Sequence, residues 1–304
     1  MQELNDTDPA VAFLPYGRRV RRYRRRARLN SLSFPLGRPE RLSGDKKSWC
    51  DLSAHDHLII FPENNETLVQ TAGVNSSIIR TLTGIRAQIS LLAACEPLFT
   101  HAEYFESLRK THRRFFRVLT RNQDLIQAVS NAMFFPYGST FVPEWNELEI
   151  FKTRHCSLIA SEERRFPGHR LRHRMADWAA GANIGIDLLG RGYRPFQPKA
   201  AGLAPYRFSV VIENNQEQHY FSEKIVDALL CKTVPIYWGC PNIADFFDIS
   251  GMIICQTEED LRKELVKINE QRYHQLLPKL GTAREQAAYW ADLEGRAARA
   301  VLSP

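Results

Sequence analysis

The sequence has no apolar run approaching the ~20 residues that a bilayer-spanning helix needs. No basic segment followed by an apolar one opens it, so the pattern of a secretory signal peptide is missing. Its six cysteines form no C-x-x-C pair, and several lie in apolar runs, where a reduced cysteine packs as a small hydrophobe. We therefore expect a soluble protein of a reducing compartment, cytoplasmic and at most peripheral to a membrane.

Several short motifs with known chemistry are missing as well. There is no G-x-x-x-x-G-K-[ST] phosphate loop and no G-x-S-x-G nucleophile turn. Asp6-Thr7-Asp8 has the form of a metal-binding D-x-D, but no strand precedes it. His169 and His173 are four residues apart with no further ligand cluster, so we predict no metal site.

The net charge of +7 is concentrated in one segment. Eight arginines lie between Arg18 and Arg28, and removing them from the 41 basic residues leaves 33, against 34 acidic ones. The rest of the chain is therefore near neutral. This composition, with four prolines nearby, predicts that residues 1–45 form a disordered arginine-rich tail. We expect residues 18–28 to bind an anionic membrane surface in preference to nucleic acid.

Beyond the tail, the pattern predicts two α/β units. In residues 46–150, strands are predicted at 58–61, 87–95 and 115–119, with a helix at 122–130. In residues 151–280, the predicted strands lie near 156–160, 185–189, 207–212, 233–237 and 252–255. The predicted helices of this second unit lie near 169–180, 222–231 and 257–270. Strands alternating with helices favour a mainly parallel sheet. Residues 281–304 are expected to form a closing helix.

The most informative segment is residues 206–247. Phe208–Ile212 is an apolar, β-branched run typical of a buried strand, and Ser222 is a good helix N-cap. Val234–Trp238 follows as a second strand. Ligands of open α/β sheets bind at the carboxyl ends of such strands, so we expect the chemistry there.

The same segment resembles the C-terminal signature of the α-1,3-fucosyltransferases, family ten of the glycosyltransferases. The elements of that signature stand here as Tyr206, Phe208, Glu213-Asn214, Tyr220, Glu223-Lys224, Ala228-Leu229 and Val234-Pro235 through Gly239. The resemblance implies a GT-B-like fold, with two Rossmann-like domains and a cleft between them. The first unit is short for a full domain of this kind, so the N-terminal domain could be a reduced one. The resemblance also implies an inverting transfer of L-fucose from GDP-fucose to a hydroxyl of an oligosaccharide or glycolipid containing N-acetylglucosamine or glucose.

The resemblance further implies donor-binding residues around the first turn of the 222–231 helix. Lys224 lies where an ammonium group and the helix N-terminus both favour phosphate, although a solvated surface lysine is the alternative. Glu223 suits a pair of ribose hydroxyls, or simply stabilises the helix start. The implied donor residues also include Glu213, Asn214 and Tyr220. Of these, Asn214 could instead be a turn residue, and Tyr220 a core aromatic.

Upstream, the segment 168–178 resembles the one whose arginine holds the donor diphosphate in the family. By spacing that residue is Arg172, whose planar guanidinium suits a diphosphate. Arg170 and Arg174 are competitors, because a shift of one residue rotates a helix position by about 100°.

The general base should be a carboxylate of the first unit, since family members place a glutamate at a strand end there. Glu96 follows an apolar run and precedes Pro97, and Glu63 is its competitor. No cofactor is required in this interpretation, although a divalent cation could assist. The alternatives are the same scaffold with another nucleotide sugar, or a non-catalytic protein on a decayed transferase fold that binds glycans or polyanions.

Overall fold

The computed structural model describes residues 7–14, 28–61, 75–93 and 102–304. The chain divides into two compact units. Unit 1 contains Met1–Phe135 and Leu293–Pro304, and unit 2 contains Pro136–Asp292. The boundary in sequence between unit 1 and unit 2 follows residue 135, some 15 positions before the boundary at 150 that the sequence predicts.

Unit 1 is built on a five-stranded parallel sheet whose strands are neighbours in chain order. The strands are β1 (Val11–Leu14), β2 (His57–Ile60), β3 (Gln88–Leu92), β4 (Val118–Thr120) and β5 (Ala132–Phe134). The described helices between these strands are α1 (Asn75–Thr83), α2 (Ala102–Thr111) and α3 (Gln123–Ala128). Parallel strands need crossover connections, and helices cover the faces of such sheets, which explains why every residue of β1 and β2 is buried.

The described parts of residues 1–45 differ from the tail that the sequence predicts. Val11–Leu14 are fully buried and pair with β2 as the edge strand of the sheet. Residues 28–45 form short helical turns whose Leu29 and Leu42 enter the core of unit 1. Burial of these apolar side chains offsets the entropy of ordering the segment. Seven of the eight arginines, at positions 18–26, lie outside the described residues.

The buried carboxylate of Asp56 bonds residues of the N-terminal segment 7–45 to the sheet of unit 1. Asp56 is fully buried and accepts a hydrogen bond from the backbone N–H of Ala10 at 2.8 Å. It also forms an ion pair with Arg41, with 2.6 Å between Nη2 and Oδ1. Burial raises the pKa of Asp56, but the hydrogen bonds from Arg41, Ala10 and Ser53 bring it below its usual range.

Unit 2 has a second five-stranded parallel sheet, with strand order β10-β9-β8-β6-β7. Its strands are β6 (Arg154–Ile159), β7 (Asp187–Leu189), β8 (Tyr206–Ile212), β9 (Val234–Trp238) and β10 (Ile253–Ile254). Its helices are α4 (Pro167–Gly181), α5 (Glu223–Leu230), α6 (Glu258–Lys267), α7 (Glu270–Leu276) and α8 (Leu280–Ala291). The sequence predicts the five strands and the helices α4, α5 and α6 with boundaries close to the observed ones, but it does not predict α7.

The order of the strands in unit 2 reverses at β6. The chain passes from β6 to β7 on one side and then adds β8, β9 and β10 on the other side. The carboxyl ends of β6 and β8 therefore form a topological switch point, where open α/β sheets leave a crevice for a ligand. Helices α4 and α5 follow these two strands and begin beside that crevice.

The expected closing helix at 281–304 is two helices with different partners. Helix α8 packs against α5 in unit 2, whereas α9 (Leu293–Leu302) contacts β1 and β2 of unit 1. Asp292 breaks the helix between them with a non-helical backbone. No helix in the described ranges is long and apolar enough to cross a membrane.

Candidate active site

A cavity of about 240 Å³ opens at the switch point of unit 2. The polar residues on its wall include Ser161, His169, Arg172, Lys199, Asn214 and Lys224. Three of these are cationic, and the described residues on the wall include no carboxylate. A crevice of this kind, with convergent basic side chains and two helices that begin beside it, suits a phosphate-bearing ligand.

Helix α4 approaches the end of β8 so closely that its second residue must be glycine. A Cβ built on Gly168 would lie 1.7 Å from the carbonyl oxygen of Glu213. The backbone N–H of Gly168 instead donates to the carbonyl of Asn214 at 2.9 Å. This contact satisfies one of the N–H groups that a helix N-terminus leaves without an intrahelical partner. It also fixes α4 against the strand end that supplies Asn214.

Arg172 extends from α4 to the same strand end. It is 5% exposed, and its Nε donates to the carbonyl of Ile212 at 2.9 Å. Its Nη2 donates to Oδ1 of Asn214, also at 2.9 Å. These bonds hold the guanidinium at the cavity wall. Of its two competitors, Arg170 is exposed and donates to the carbonyls of Arg164 and Arg165, and Arg174 pairs with Glu258.

Helix α5 begins over a buried carboxylate. Glu213 is fully buried and accepts two hydrogen bonds from Ser222, from its N–H at 2.9 Å and from its hydroxyl at 2.6 Å. Gly239, at the end of β9, leaves room for this side chain, because a Cβ there would lie 2.6 Å from Cγ of Glu213. Burial raises the pKa of Glu213 above its usual value, although Lys224 opposes the shift.

Lys224 is the cation of the first turn of α5. Its Nζ lies 3.1 Å from Oε1 of Glu223 and 3.7 Å from Oε2 of Glu213. Burial lowers the pKa of Lys224, but the two glutamates outweigh it and raise the pKa above its usual value. Burial alone would raise the pKa of Glu223, but the positive charges of Lys224 and Lys199 outweigh burial and lower this pKa below its usual value. Lys224 and Glu223 are therefore both charged near neutral pH.

His169 adds a neutral polar group to the wall. Burial, together with the positive charges of Arg172 and Lys224, lowers the pKa of His169 to about 4. Its imidazole is thus uncharged at neutral pH and does not add to the repulsion between the cations. The described residues contain no group of three or more His, Cys, Asp or Glu side chains that could hold a metal ion.

The structure brings together three of the residues that the sequence singles out. Arg172, Asn214 and Lys224 line the cavity. The described residues on the wall do not include Glu213, Tyr220 or Glu223, and Tyr220 is only 1% exposed. The two candidates for the general base, Glu96 and Glu63, lie outside the described residues, so both remain predictions.

Sequence reasoning missed Lys199, Ser161 and the place of His169 on the wall. Ser161 follows β6, and Lys199 begins a short 3-10 turn just after Pro198. Neither stands in a pattern that predicts a ligand contact, and they reach the cavity only because the sheet places β6 next to β8. His169 could have been found from its position one helical turn before Arg172.

Comparison with known proteins gives sequence matches to fucosyltransferases over short segments of the chain. The chain is 46% identical over 51 residues to the α-(1,3)-fucosyltransferase FucT of Helicobacter pylori, a match that spans 17% of this chain and 11% of that protein. It is 33% identical over 104 residues to a fucosyltransferase-like protein of Arabidopsis thaliana, spanning 31% and 20%. No family model matches the chain. The two matches confirm the resemblance that residues 206–247 suggest.

Comparison with solved structures addresses the fold. The structure of HepE from Anabaena, solved with UDP and glucose, matches with a TM-score of 0.52 and 11% identity. The match covers 80% of this chain and 77% of that one. At this identity the likeness concerns the fold, which agrees with the two parallel α/β units described above. The chain thus has a GT-B fold and is similar in sequence to the α-1,3-fucosyltransferases.

Proposed function

We propose that this chain is an inverting glycosyltransferase that moves L-fucose from GDP-fucose to a hydroxyl of a glycan containing N-acetylglucosamine or glucose. The observation that supports this most is the convergence of Arg172 and Lys224 on the cavity at the switch point of unit 2. The sequence similarity to fucosyltransferases supports fucose and GDP as the donor components. In this proposal the donor diphosphate occupies the cavity.

The chemistry assigned to these residues follows from where charge develops. The acceptor hydroxyl loses its proton to a carboxylate, for which we propose Glu96, and the oxygen attacks the anomeric carbon. The bond from that carbon to the diphosphate breaks on the opposite face, so the configuration inverts and GDP departs. Arg172 and Lys224 stabilise the growing negative charge on the leaving oxygen more than they stabilise the bound substrate.

Two further roles complete the proposal. Glu223, ionised beside Lys224, accepts hydrogen bonds from ribose hydroxyls, and Asn214 and Tyr220 support donor binding. No bound metal is required, because the cationic side chains already supply the positive charge that a divalent ion would bring to a diphosphate. Turnover that persists in excess chelator is the expected result, and loss of turnover restored by Mg²⁺ or Mn²⁺ would contradict this part.

The decisive experiment measures GDP or UDP release from a set of nucleotide sugars with a panel of glycan acceptors. We expect release from GDP-fucose that depends on the acceptor. Acceptor-dependent release from UDP-glucose or GDP-mannose instead would show the same scaffold with another donor. Tight glycan binding without release from any donor would show a non-catalytic binding protein.

A further inference from the structure

We infer that Lys199 binds the diphosphate of the nucleotide ligand as the mobile cation of the cavity, an inference that rests on the proposed function. Lys199 is half-buried, begins the short turn Lys199–Gly202, and lines the cavity together with Arg172 and Lys224. It belongs to neither signature segment, and its position follows only from the packing of the turn beside β8.

The bonding of the other two cations is the first step of the argument. The guanidinium of Arg172 already donates to the carbonyl of Ile212 and to the amide oxygen of Asn214. Arg172 is thereby held in one orientation, with part of its bonding capacity used within the protein. It can present a fixed edge to a phosphate but cannot follow one that moves.

The charge of Lys224 is the second step. Its ammonium lies within 3.1 Å of Glu223 and 3.7 Å of the buried Glu213. Its positive charge is therefore largely matched before any ligand enters. A diphosphate carries at least two negative charges at neutral pH, so Arg172 and Lys224 leave part of that charge without a matching cation.

Lys199 supplies the missing charge. Within the part of the chain that the structure describes, no hydrogen bond or ion pair engages its ammonium group. The positive charge of Lys199 acts on the first turn of α5, where it helps to lower the pKa of Glu223. A flexible lysine with its three N–H groups available can approach a phosphate oxygen and then follow it as the leaving group departs.

The test measures binding of GDP and of inorganic pyrophosphate by calorimetry at low salt. Lys199→Ala should weaken both ligands by about 10- to 100-fold, as expected for loss of a charge-assisted hydrogen bond. Lys199→Arg should recover most of the affinity. Lys279→Ala, which removes an exposed lysine of the same unit, is the matched control and should bind both ligands as the wild type does.

The outcomes separate this inference from the proposed function. If Lys199→Ala binds pyrophosphate as tightly as the wild type does, the inference about Lys199 is overturned, whatever happens with GDP. If the wild type binds pyrophosphate but not GDP, and Lys199→Ala loses pyrophosphate, the role of Lys199 stands and the GDP donor is wrong. If the wild type binds neither ligand, both proposals fail. Equal thermal unfolding of the variants excludes misfolding as the cause of any loss.

Discussion

The fully buried carboxylate of Glu213 accepts two hydrogen bonds from Ser222, at 2.9 Å from the backbone N–H and 2.6 Å from the hydroxyl. Ser222 is the N-cap of α5, so this carboxylate fixes the start of the helix that carries Lys224. The resemblance assigns Glu213 to donor binding. The described geometry instead gives it a positioning role, with its oxygens bonded inside the protein.

Glu213→Gln should therefore lower stability more than it changes ligand affinity. The amide can accept only one of the two bonds from Ser222, so we expect a loss of about 1–3 kcal/mol in the free energy of unfolding. GDP affinity of the folded variant should stay within a few-fold of wild type. Denaturant unfolding and calorimetry measure the two effects. A large loss of GDP affinity at unchanged stability would return Glu213 to the set of ligand contacts.

Lys224→Ala should reduce turnover and weaken GDP binding together. Removing the ammonium group removes charge stabilisation of the leaving diphosphate, which we expect to cost about 2–4 kcal/mol in the transition state. Steady-state kinetics and calorimetry check this, with Lys279→Ala as the control for loss of a lysine. Normal turnover with unchanged GDP affinity would remove Lys224 from the site.

The identity of the general base can be decided by two matched substitutions. Glu96→Gln keeps the shape of the side chain but cannot accept the proton of the acceptor hydroxyl. Turnover should fall by a factor of ~10²–10⁴ while GDP affinity stays near wild type. Glu63→Gln serves as the comparison and should retain turnover. The reverse result would assign the base to Glu63.

A buried aspartate should make stability depend on pH. Asp227, in α5, accepts hydrogen bonds from the Thr140 hydroxyl and the Phe141 N–H at 2.6 and 3.0 Å. Burial raises the pKa of Asp227 to about 7. A carboxyl group whose pKa is raised in the folded state makes its full contribution to stability below its unfolded pKa, near 3.8. That contribution is lost as the pH rises to about 7.

Asp227→Asn should remove this dependence while keeping an oxygen to accept both bonds. Above pH 7 the variant should be more stable than wild type by a few kcal/mol, at ~1.4 kcal/mol per unit of pKa shift. Urea unfolding across pH 4 to 8 gives the comparison. Asp177→Asn, at an exposed aspartate of α4, is the control and should follow the wild-type curve. Parallel curves for wild type and Asp227→Asn would contradict the shift.

The arginine segment requires a more selective test than removal of residues 1–45. That deletion would remove β1 and the contacts of Arg41 with Asp56, so it should unfold unit 1. Replacing the seven arginines of residues 18–26 by glutamine leaves β1 in place. We expect this variant to lose sedimentation with anionic liposomes, since each charge near such a surface contributes roughly 1 kcal/mol. Failure of the wild-type chain to sediment at low salt would end the membrane proposal.

The sequence predicts β8 and β9 well because they are mainly apolar runs of seven and five residues, and it predicts α5 and α6 well because Ser222 and Thr257 cap them. Thr257 and Asp260 cap α6 reciprocally, as their spacing indicates. In unit 1 the sequence does not predict β5, whose three residues are too few to show a period. Strand β1 is four residues beside an arginine run, and its role depends on pairing with residues 57–60, some 46 positions later.

The site was predictable only where a local pattern exists. The pair Glu213-Asn214 reads as one unit in sequence, but consecutive side chains at a strand end point to opposite sides. Asn214 therefore reaches the cavity and Glu213 the base of α5. Lys199 has no local signal at all, because only the order of the strands brings its turn to the same crevice.

The C-terminal helix α9 packs against the N-terminal strands β1 and β2. This contact determines which unit can be completed first while the chain is synthesised. Unit 2 is one continuous stretch, Pro136–Asp292, and all of its strands have been made once that stretch has left the ribosome. Unit 1 begins first but needs Leu293–Leu302, which are translated after unit 2 is finished. The unit whose translation starts first is therefore the last to be completed, and the parts of β1 and β2 that α9 contacts lack this partner until α9 has been made.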